Sequence, residues 1–215
     1  MNIYGMASKF RLRRIFRPLV KKVAHLLSKV GLSPNLATII MLSFSIISFI
    51  LLVFLSNLLL FSIFVFATGF FDGVDGAIAR IKGKVTKFGG FFDSLMDRIS
   101  EFIIFLALMF YTWNSVLWGV FDMKIVILVS FIASIMISYS RARAEVFFKG
   151  DFDFGLMARS ERLFYVVITM FVANFIGYVN EFLFVFMLLV LATAFFRYFK
   201  IKNLIIEFED KRESL

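Results

Sequence analysis

Four aspartates at fixed spacing, inside a strongly apolar stretch, are the residues best suited to chemistry in this chain. Asp72 and Asp75 lie three residues apart, and Asp93 and Asp97 lie four apart. On helices, these spacings put each pair on one face. Carboxylates at membrane depth are costly to bury and therefore indicate function. Two facing pairs of hard oxygen ligands suit Mg²⁺ or Mn²⁺, so all four are predicted metal ligands.

The residues around the aspartates complete a longer pattern. It reads Asp72-x2-Asp75-Gly76-x2-Ala79-Arg80-x8-Gly89-x3-Asp93-x3-Asp97. Every specified position resembles the signature of the CDP-alcohol phosphotransferase family. The resemblance implies an enzyme in which a second alcohol attacks a CDP-activated alcohol and CMP leaves. It also implies that Asp97 is the general base and that Mg²⁺ or Mn²⁺, which we expect as two ions, is the cofactor. The sequence alone does not separate base from ligand among the four acids.

The same resemblance predicts residues that contact the CDP group. Arg80 is the expected phosphate clamp. Gly76 lacks a side chain, which lets a nucleotide approach the backbone. Gly89 serves the same purpose or allows close helix packing, and the sequence leaves both readings open. The full predicted set is Asn35, Thr38, Asp72, Gly76, Arg80 and Thr86.

A second segment bears on the acceptor alcohol. Residues 138–145 read SYSRARAE and residues 159–162 read RSER. Both resemble the phosphatidylinositol-phosphate synthase branch of the family, in which such segments bind inositol 1-phosphate. Because arginine forks bind phosphate bidentately, a phosphorylated acceptor is expected. The predicted acceptor-phosphate residues are Ser138, Arg141, Arg143, Arg159 and Arg162.

Other acceptors and another class of function remain open. Glycerol 3-phosphate also carries a phosphate, whereas serine or inositol would leave the arginines without a partner. A cation transporter is the alternative from another class. Transporter cation sites usually lie near the bilayer midplane, at broken helices in repeated halves, whereas these aspartates are expected toward one leaflet and the sequence shows no repeat.

Near the aspartates, Arg98 and Glu101 are three residues apart and are expected to form a structural ion pair.

Composition predicts an all-α integral membrane protein. The chain is 61% hydrophobic, with a mean hydropathy of +0.91. Six spans of about 20 residues fit its length. They are predicted near 36–56, 58–82, 88–112, 124–147, 160–179 and 182–200. Residues 1–32 are expected to form an amphipathic interfacial helix, 33–201 the catalytic domain, and 202–215 a charged cytoplasmic tail.

The charges indicate orientation rather than a nucleic-acid partner. The net charge is +9, but the basic residues fall into clusters separated by apolar segments. This is the positive-inside pattern, with both termini and the site on the cytoplasmic side of the cell membrane. The expected partners are a CDP-lipid donor, with diacyl and isoprenoid tails equally possible, and the membrane itself. The family resemblance also implies a homodimer.

Overall fold

The computed structural model describes residues 12–147 and 155–213, which form helices and one short β-hairpin. The helices are α1 (Leu12–Lys29), α2 (Pro34–Val53), α3 (Leu58–Ile81), α4 (Lys87–Tyr111), α5 (Met123–Phe147), α6 (Arg159–Ile176) and α7 (Val179–Glu213). The hairpin pairs β1 (Val116–Leu117) with antiparallel β2 (Phe121–Asp122). The predicted all-helical architecture is confirmed, and the hairpin is an addition to it.

Short polar side chains fix where three of the helices begin. Ser33 accepts a hydrogen bond from the backbone N–H of Leu36, and Pro34 occupies the first turn of α2. Asn57 caps α3 and Thr86 caps α4 in the same way. Such caps satisfy backbone donors that the first turn leaves open. The α3–α4 connection is therefore short and sharply defined, which keeps the two aspartate-bearing helices together.

Four of the described helices are long and apolar enough to cross a membrane: α2, α3, α5 and α7. Both α4 and α6 begin with charged turns, which lower their apolar content. Each nevertheless packs among the apolar helices, with α2 against α3 and α4, and α3 against α6. The protein is a membrane protein, and a total of six spans stays a prediction.

The helix α1 packs directly on the helix that carries Asp72 and Asp75. Ala24 is fully buried there, in a cluster with Val74, Ala77 and Ile78 of α3. The basic residues Arg17, Lys21, Lys22 and Lys29 are exposed on other faces of α1. The packing fixes α1 to the bundle, while its position on a membrane surface stays a prediction.

The last helix continues past the predicted end of the membrane domain. It has 35 residues, so its length is about 52 Å, against a hydrocarbon core of about 30 Å. Beyond the predicted span, Ile201 packs against Ala144 of α5. The predicted tail therefore begins as an uninterrupted continuation of α7, and the domain boundary stays a prediction.

Parts of three predicted segments lie outside the described residues. They are residues 1–11 of the N-terminal segment, 148–154 between the two predicted arginine segments, and 214–215 of the tail. All the predicted site residues lie within the described ranges.

Candidate active site

Three of the four aspartates converge between α3 and α4. Asp72, Asp93 and Asp97 each offer a carboxylate oxygen, and these oxygens all lie within 4.8 Å of one another. Asp97 is buried, with 8% of its surface exposed. The antiparallel helices bring together acids that are more than twenty residues apart in the chain. The structure thus brings together three of the four predicted metal ligands.

Asp75 is held separately, against α2. The Thr38 hydroxyl donates to Asp75 Oδ2 at 2.8 Å, and the backbone N–H of Gly76 donates to Oδ1 at 2.5 Å. The side chain is 3% exposed. Asp75 therefore lies outside the three-carboxylate group and serves as an anchor between α2 and α3 in this state. Its role as a metal ligand stays a prediction.

The guanidinium of Arg159 joins the carboxylate group from α6. Its Nη1 lies 2.5 Å from Asp72 Oδ1 and 2.8 Å from Asp97 Oδ2. Its Nη2 also donates to the backbone carbonyl of Asp97 at 3.4 Å. A predicted acceptor residue is thus in direct contact with predicted metal and base residues, which makes donor and acceptor chemistry adjacent.

The carboxylate group fits a divalent cation. Three carboxylates lie together here, beside the guanidinium of Arg159. Asp97 Oδ1 is buried and has no hydrogen-bond partner among the described residues. A buried acceptor of this kind is costly unless something fills it. Hard carboxylate oxygens suit Mg²⁺ or Mn²⁺, so Asp72, Asp93 and Asp97 are the residues that could hold an ion.

The predicted CDP-contacting residues lie at one end of the bundle, around the starts of α2 and α4 and the end of α3. Asn35, Arg80 and Thr86 are exposed there, whereas Thr38 is buried. A Cβ added at Gly76 would lie 3.4 Å from Arg80 Nη1. The missing side chain therefore leaves room for the guanidinium beside the helix backbone.

Gly89 has a local reason to be glycine. A Cβ there would lie 2.9 Å from the Thr86 hydroxyl, which caps α4 by accepting from the Gly89 N–H. Glycine thus makes room for the cap. The sequence had left two other reasons open for this glycine, nucleotide approach and close helix packing. Thr86 has a structural role as a helix cap in addition to its predicted role in binding CDP.

The predicted arginine segments divide into a buried and an exposed part. Arg162 is 1% exposed, and its Nη2 donates to the Ser138 hydroxyl at 3.4 Å. Arg141 instead forms an i,i+4 pair with Glu145, at 2.8 Å, and Arg143 is exposed. The structure therefore brings Ser138 and Arg162 together, while Arg159 lies at the carboxylates.

Glu101 pairs with Arg162, so the expected pair with Arg98 is wrong. Glu101 Oε1 lies 2.8 Å from Arg162 Nε and 2.7 Å from Nη2. Both side chains are 1% exposed. The helical spacing indicated that Glu101 forms an ion pair but could not identify a partner 61 residues away.

Comparison with known proteins identifies the family. A family model described as CDP-alcohol phosphatidyltransferase matches residues 32–199. The chain belongs to this family. It is an enzyme of the CDP-alcohol phosphatidyltransferase class, as the aspartate pattern predicted.

Several relatives have assigned activities. The chain is 35% identical, over 163 residues, to the archaetidylinositol phosphate synthase of Pyrococcus horikoshii, covering 76% of this chain and 81% of that protein. It is 32% identical to the phosphatidylinositol phosphate synthase of Mycobacteroides abscessus, covering 72% of this chain and 69% of that protein.

Solved structures are similar as well. The phosphatidylinositol phosphate synthase of Mycobacterium tuberculosis has been solved with CDP-DAG bound. That structure matches with a TM-score of 0.72 at 28% identity, covering 86% of this chain and 94% of that one. The same enzyme in complex with manganese and citrate matches with a TM-score of 0.73 at 27% identity, covering 85% and 88%.

One buried cation of this phosphatidyltransferase was not predicted. Arg197 of α7 is 1% exposed, and its Nη1 donates to the carbonyl of Ile137 at 2.9 Å. Ile137 immediately precedes Ser138, which Arg162 contacts, so Arg197 binds the backbone next to that contact. The available signal was a single arginine within the apolar run 182–200, since a buried charge in such a run indicates function.

Proposed function

We propose that this enzyme transfers a phosphatidyl-type group from a CDP-lipid to a hydroxyl of inositol 1-phosphate. The products are a phosphatidylinositol-phosphate-type lipid and CMP. The relatives named above support this choice of donor and acceptor class. The observation that carries the proposal is Arg159, which contacts both Asp72 and Asp97. A phosphate-binding side chain is thus adjacent to the carboxylates that serve the reaction.

The donor lies where α2, α3 and α4 meet. Arg80 clamps a phosphate of the CDP group, and Gly76 leaves the backbone open beside it. Asp72, Thr86, Asn35 and Thr38 complete the nucleotide site. The exposed positions of Arg80, Thr86 and Asn35 at one end of the bundle support this assignment. The fit between a guanidinium and a phosphate is bidentate, which orients the pyrophosphate as well as binding it.

We propose that two ions of Mg²⁺ or Mn²⁺ bind at the four aspartates. Three of these would hold an ion together, namely Asp72, Asp93 and Asp97, and Asp75 is the fourth proposed ligand. When bound, they supply positive charge that stabilises the pyrophosphate and the charge that develops on it. The related enzyme solved with manganese supports a divalent metal.

Asp97 acts as the general base. It accepts the proton of the acceptor hydroxyl, whose oxygen attacks the β-phosphorus of the CDP-lipid. A new P–O bond forms, the bond to CMP breaks, and CMP leaves with the bonding electrons. The burial of Asp97 and its unpartnered Oδ1 support this role. The transfer otherwise depends on positioning and charge stabilisation.

The acceptor phosphate binds on the α5–α6 side. Arg159 Nε is buried and has no hydrogen-bond partner among the described residues, so this donor is available for a phosphate oxygen. We assign Arg141 and Arg143 of α5 to the same phosphate site, together with Arg162, which contacts Ser138. A pocket with this many cations favours a phosphorylated acceptor over free inositol or serine.

The proposed setting is the cell membrane, with six spans, an interfacial α1 and the site facing the cytoplasm. The exposed basic residues of α1 and of the α3–α4 connection support this orientation, because cytoplasmic segments carry excess Lys and Arg. We also propose a homodimer, on the family resemblance. The donor tails can be diacyl or isoprenoid, since the relatives include both phosphatidyl and archaetidyl enzymes.

The decisive experiment measures CMP release by the purified enzyme with Mg²⁺ or Mn²⁺ and either CDP-diacylglycerol or CDP-archaeol. Inositol 1-phosphate, glycerol 3-phosphate, serine and inositol are supplied separately, and the lipid product is identified by mass spectrometry. The proposal expects release with inositol 1-phosphate. Release only with glycerol 3-phosphate would keep the donor site and replace the acceptor. No CMP release with any of these pairs would refute the proposed choice of donor and acceptor.

A further inference from the structure

A buried ion pair lies one helical turn beyond the proposed base. Glu101 follows Asp97 by four residues on α4, so the two acids share a face. Glu101 and Arg162 are each 1% exposed, with Nε and Nη2 of the arginine both on Oε1 of the glutamate. The catalytic steps described so far do not use Glu101.

The guanidinium of Arg162 also reaches two other elements. Its Nη1 donates to the carbonyl of Met157 at 3.1 Å, and its Nη2 donates to the Ser138 hydroxyl at 3.4 Å. One guanidinium thus connects α4, α5 and the turn that precedes α6. Its position depends on Glu101, which is the carboxylate that neutralises it.

The turn before α6 needs such a connection. The N-cap residue Ala158 makes no side-chain capping hydrogen bond. Arg159 is the first residue of α6 and lies only two residues after the Met157 carbonyl that Arg162 holds. Arg162 therefore anchors the start of α6 to α4 and α5, in addition to the contacts that Arg159 makes with Asp72 and Asp97.

We propose that Glu101 is a positioning residue for the acceptor. Its carboxylate holds Arg162, and Arg162 in turn sets the start of α6 and the Ser138 hydroxyl. Glu101 thereby controls the placement of Arg159 without touching substrate. The inference rests on the proposed function for the assignment of Ser138 and Arg159 to the acceptor.

The pair is poorly suited to a purely stabilising role. Buried ion pairs contribute little net stability, because the cost of desolvating both charges offsets their attraction. Glu101 Oε2 is also buried and has no hydrogen-bond partner among the described residues. A carboxylate retained at this cost, and used on one oxygen only, is better explained by the geometry it imposes on Arg162.

The test is E101Q, compared with D122N as a matched control. Gln keeps the size of the side chain but removes the charge that holds Arg162. The control makes the same acid-to-amide change in the exposed Asp122–Lys124 pair, 3.3 Å apart, outside the proposed site. For E101Q we expect the KM for inositol 1-phosphate to rise about tenfold, with the KM for CDP-lipid changed less than about twofold. D122N should leave both values unchanged.

Other outcomes would overturn the inference. Unchanged KM values with a lowered unfolding temperature would make Glu101 structural only, and equal rises in both KM values would remove the acceptor selectivity. If E101Q does not fold, E101L/R162M replaces the pair by apolar side chains, a change that buried pairs often tolerate. A normal acceptor KM in that variant would also refute the positioning role. Failure of the proposed function is distinguishable, because the wild-type enzyme would then not use inositol 1-phosphate at all.

Discussion

Arg159 and a divalent ion require the same carboxylates. The guanidinium Nη1 lies 2.5 Å from Asp72 Oδ1 and 2.8 Å from Asp97 Oδ2. The exposed fraction of the side chain is 15% for Arg159, 25% for Asp72 and 12% for Asp97. An ion ligated by both acids competes with Nη1 for their negative charge. Replacing Arg159 by Gln should therefore strengthen metal binding, although it removes a proposed acceptor-binding residue.

The magnitude follows from the hydrogen bond that is lost. A hydrogen bond to a charged group contributes about 1.5–3 kcal/mol net. Removing one such competitor from a largely buried site corresponds to about a ten- to hundredfold lower Kd. The expected result for R159Q is a Kd for Mn²⁺ lowered by at least about tenfold, while the KM for the phosphorylated acceptor rises.

The assay is a titration of purified, substrate-free protein with Mn²⁺, in which electron paramagnetic resonance reports the free ion. The control is R80Q, which removes a positive charge from the same end of the bundle. The Arg80 side chain is exposed and forms no ion pair with a carboxylate of the described residues. It should change the Kd by less than about threefold, because exposed charges are screened. A Kd for R159Q that is unchanged, or no lower than that of R80Q, would refute the competition.

Three further predictions concern the base, the Asp75 anchor and the topology. D97N should lower kcat at least about a hundredfold with CDP-lipid binding retained, measured by CMP release and by equilibrium binding. T38V removes the donor to buried Asp75 and should cost about 1–3 kcal/mol of stability, measured as a lower unfolding temperature. Because the chain has no cysteine, K84C and V120C can be labelled singly in sealed vesicles with an impermeant maleimide, and only K84C should react from the cytoplasmic side.

Each of these has a contradicting result. Near-normal turnover of D97N would remove Asp97 as the base. S43A deletes a hydroxyl on the exposed side of the same helix as Thr38, and an equal loss of stability there would mean that the Asp75 contact is not the cause. Labelling of K84C and V120C from the same side would contradict both the orientation and the number of spans between them.

The sequence predicted the parts of the site that depend on local spacing. Asp72, Asp93 and Asp97 lie within one helix–turn–helix, so their convergence follows from short-range geometry. Arg159 meets Asp72 across 87 positions of the chain, and no local pattern specifies that distance. The Arg98–Glu101 expectation failed for the same reason, since a buried partner from α6 took the place of the helical neighbour.

The fold shows a similar limit. Strands of two residues each, as in the hairpin between α4 and α5, give too little alternation to be predicted. The change from apolar to charged residues near position 201 suggested a separate tail. However, the sequence from Val179 to Glu213 contains neither Gly nor Pro, so nothing in it ends the helix. Composition thus predicted the membrane boundary of α7 but not its continuation.

The helix α1 extends the folding unit beyond the region that defines the family. The family match begins at residue 32, yet Val20 of α1 lies against Gly73, where an added Cβ would approach it to 3.4 Å. A chain trimmed to the matched region would uncover the back of α3 at the turn bearing Asp72, together with Val74 and Ile78. At the other end it would remove Ile201 from its contact with α5. The packing around the aspartate-bearing helices therefore includes residues outside the range 32–199 by which the family is recognised.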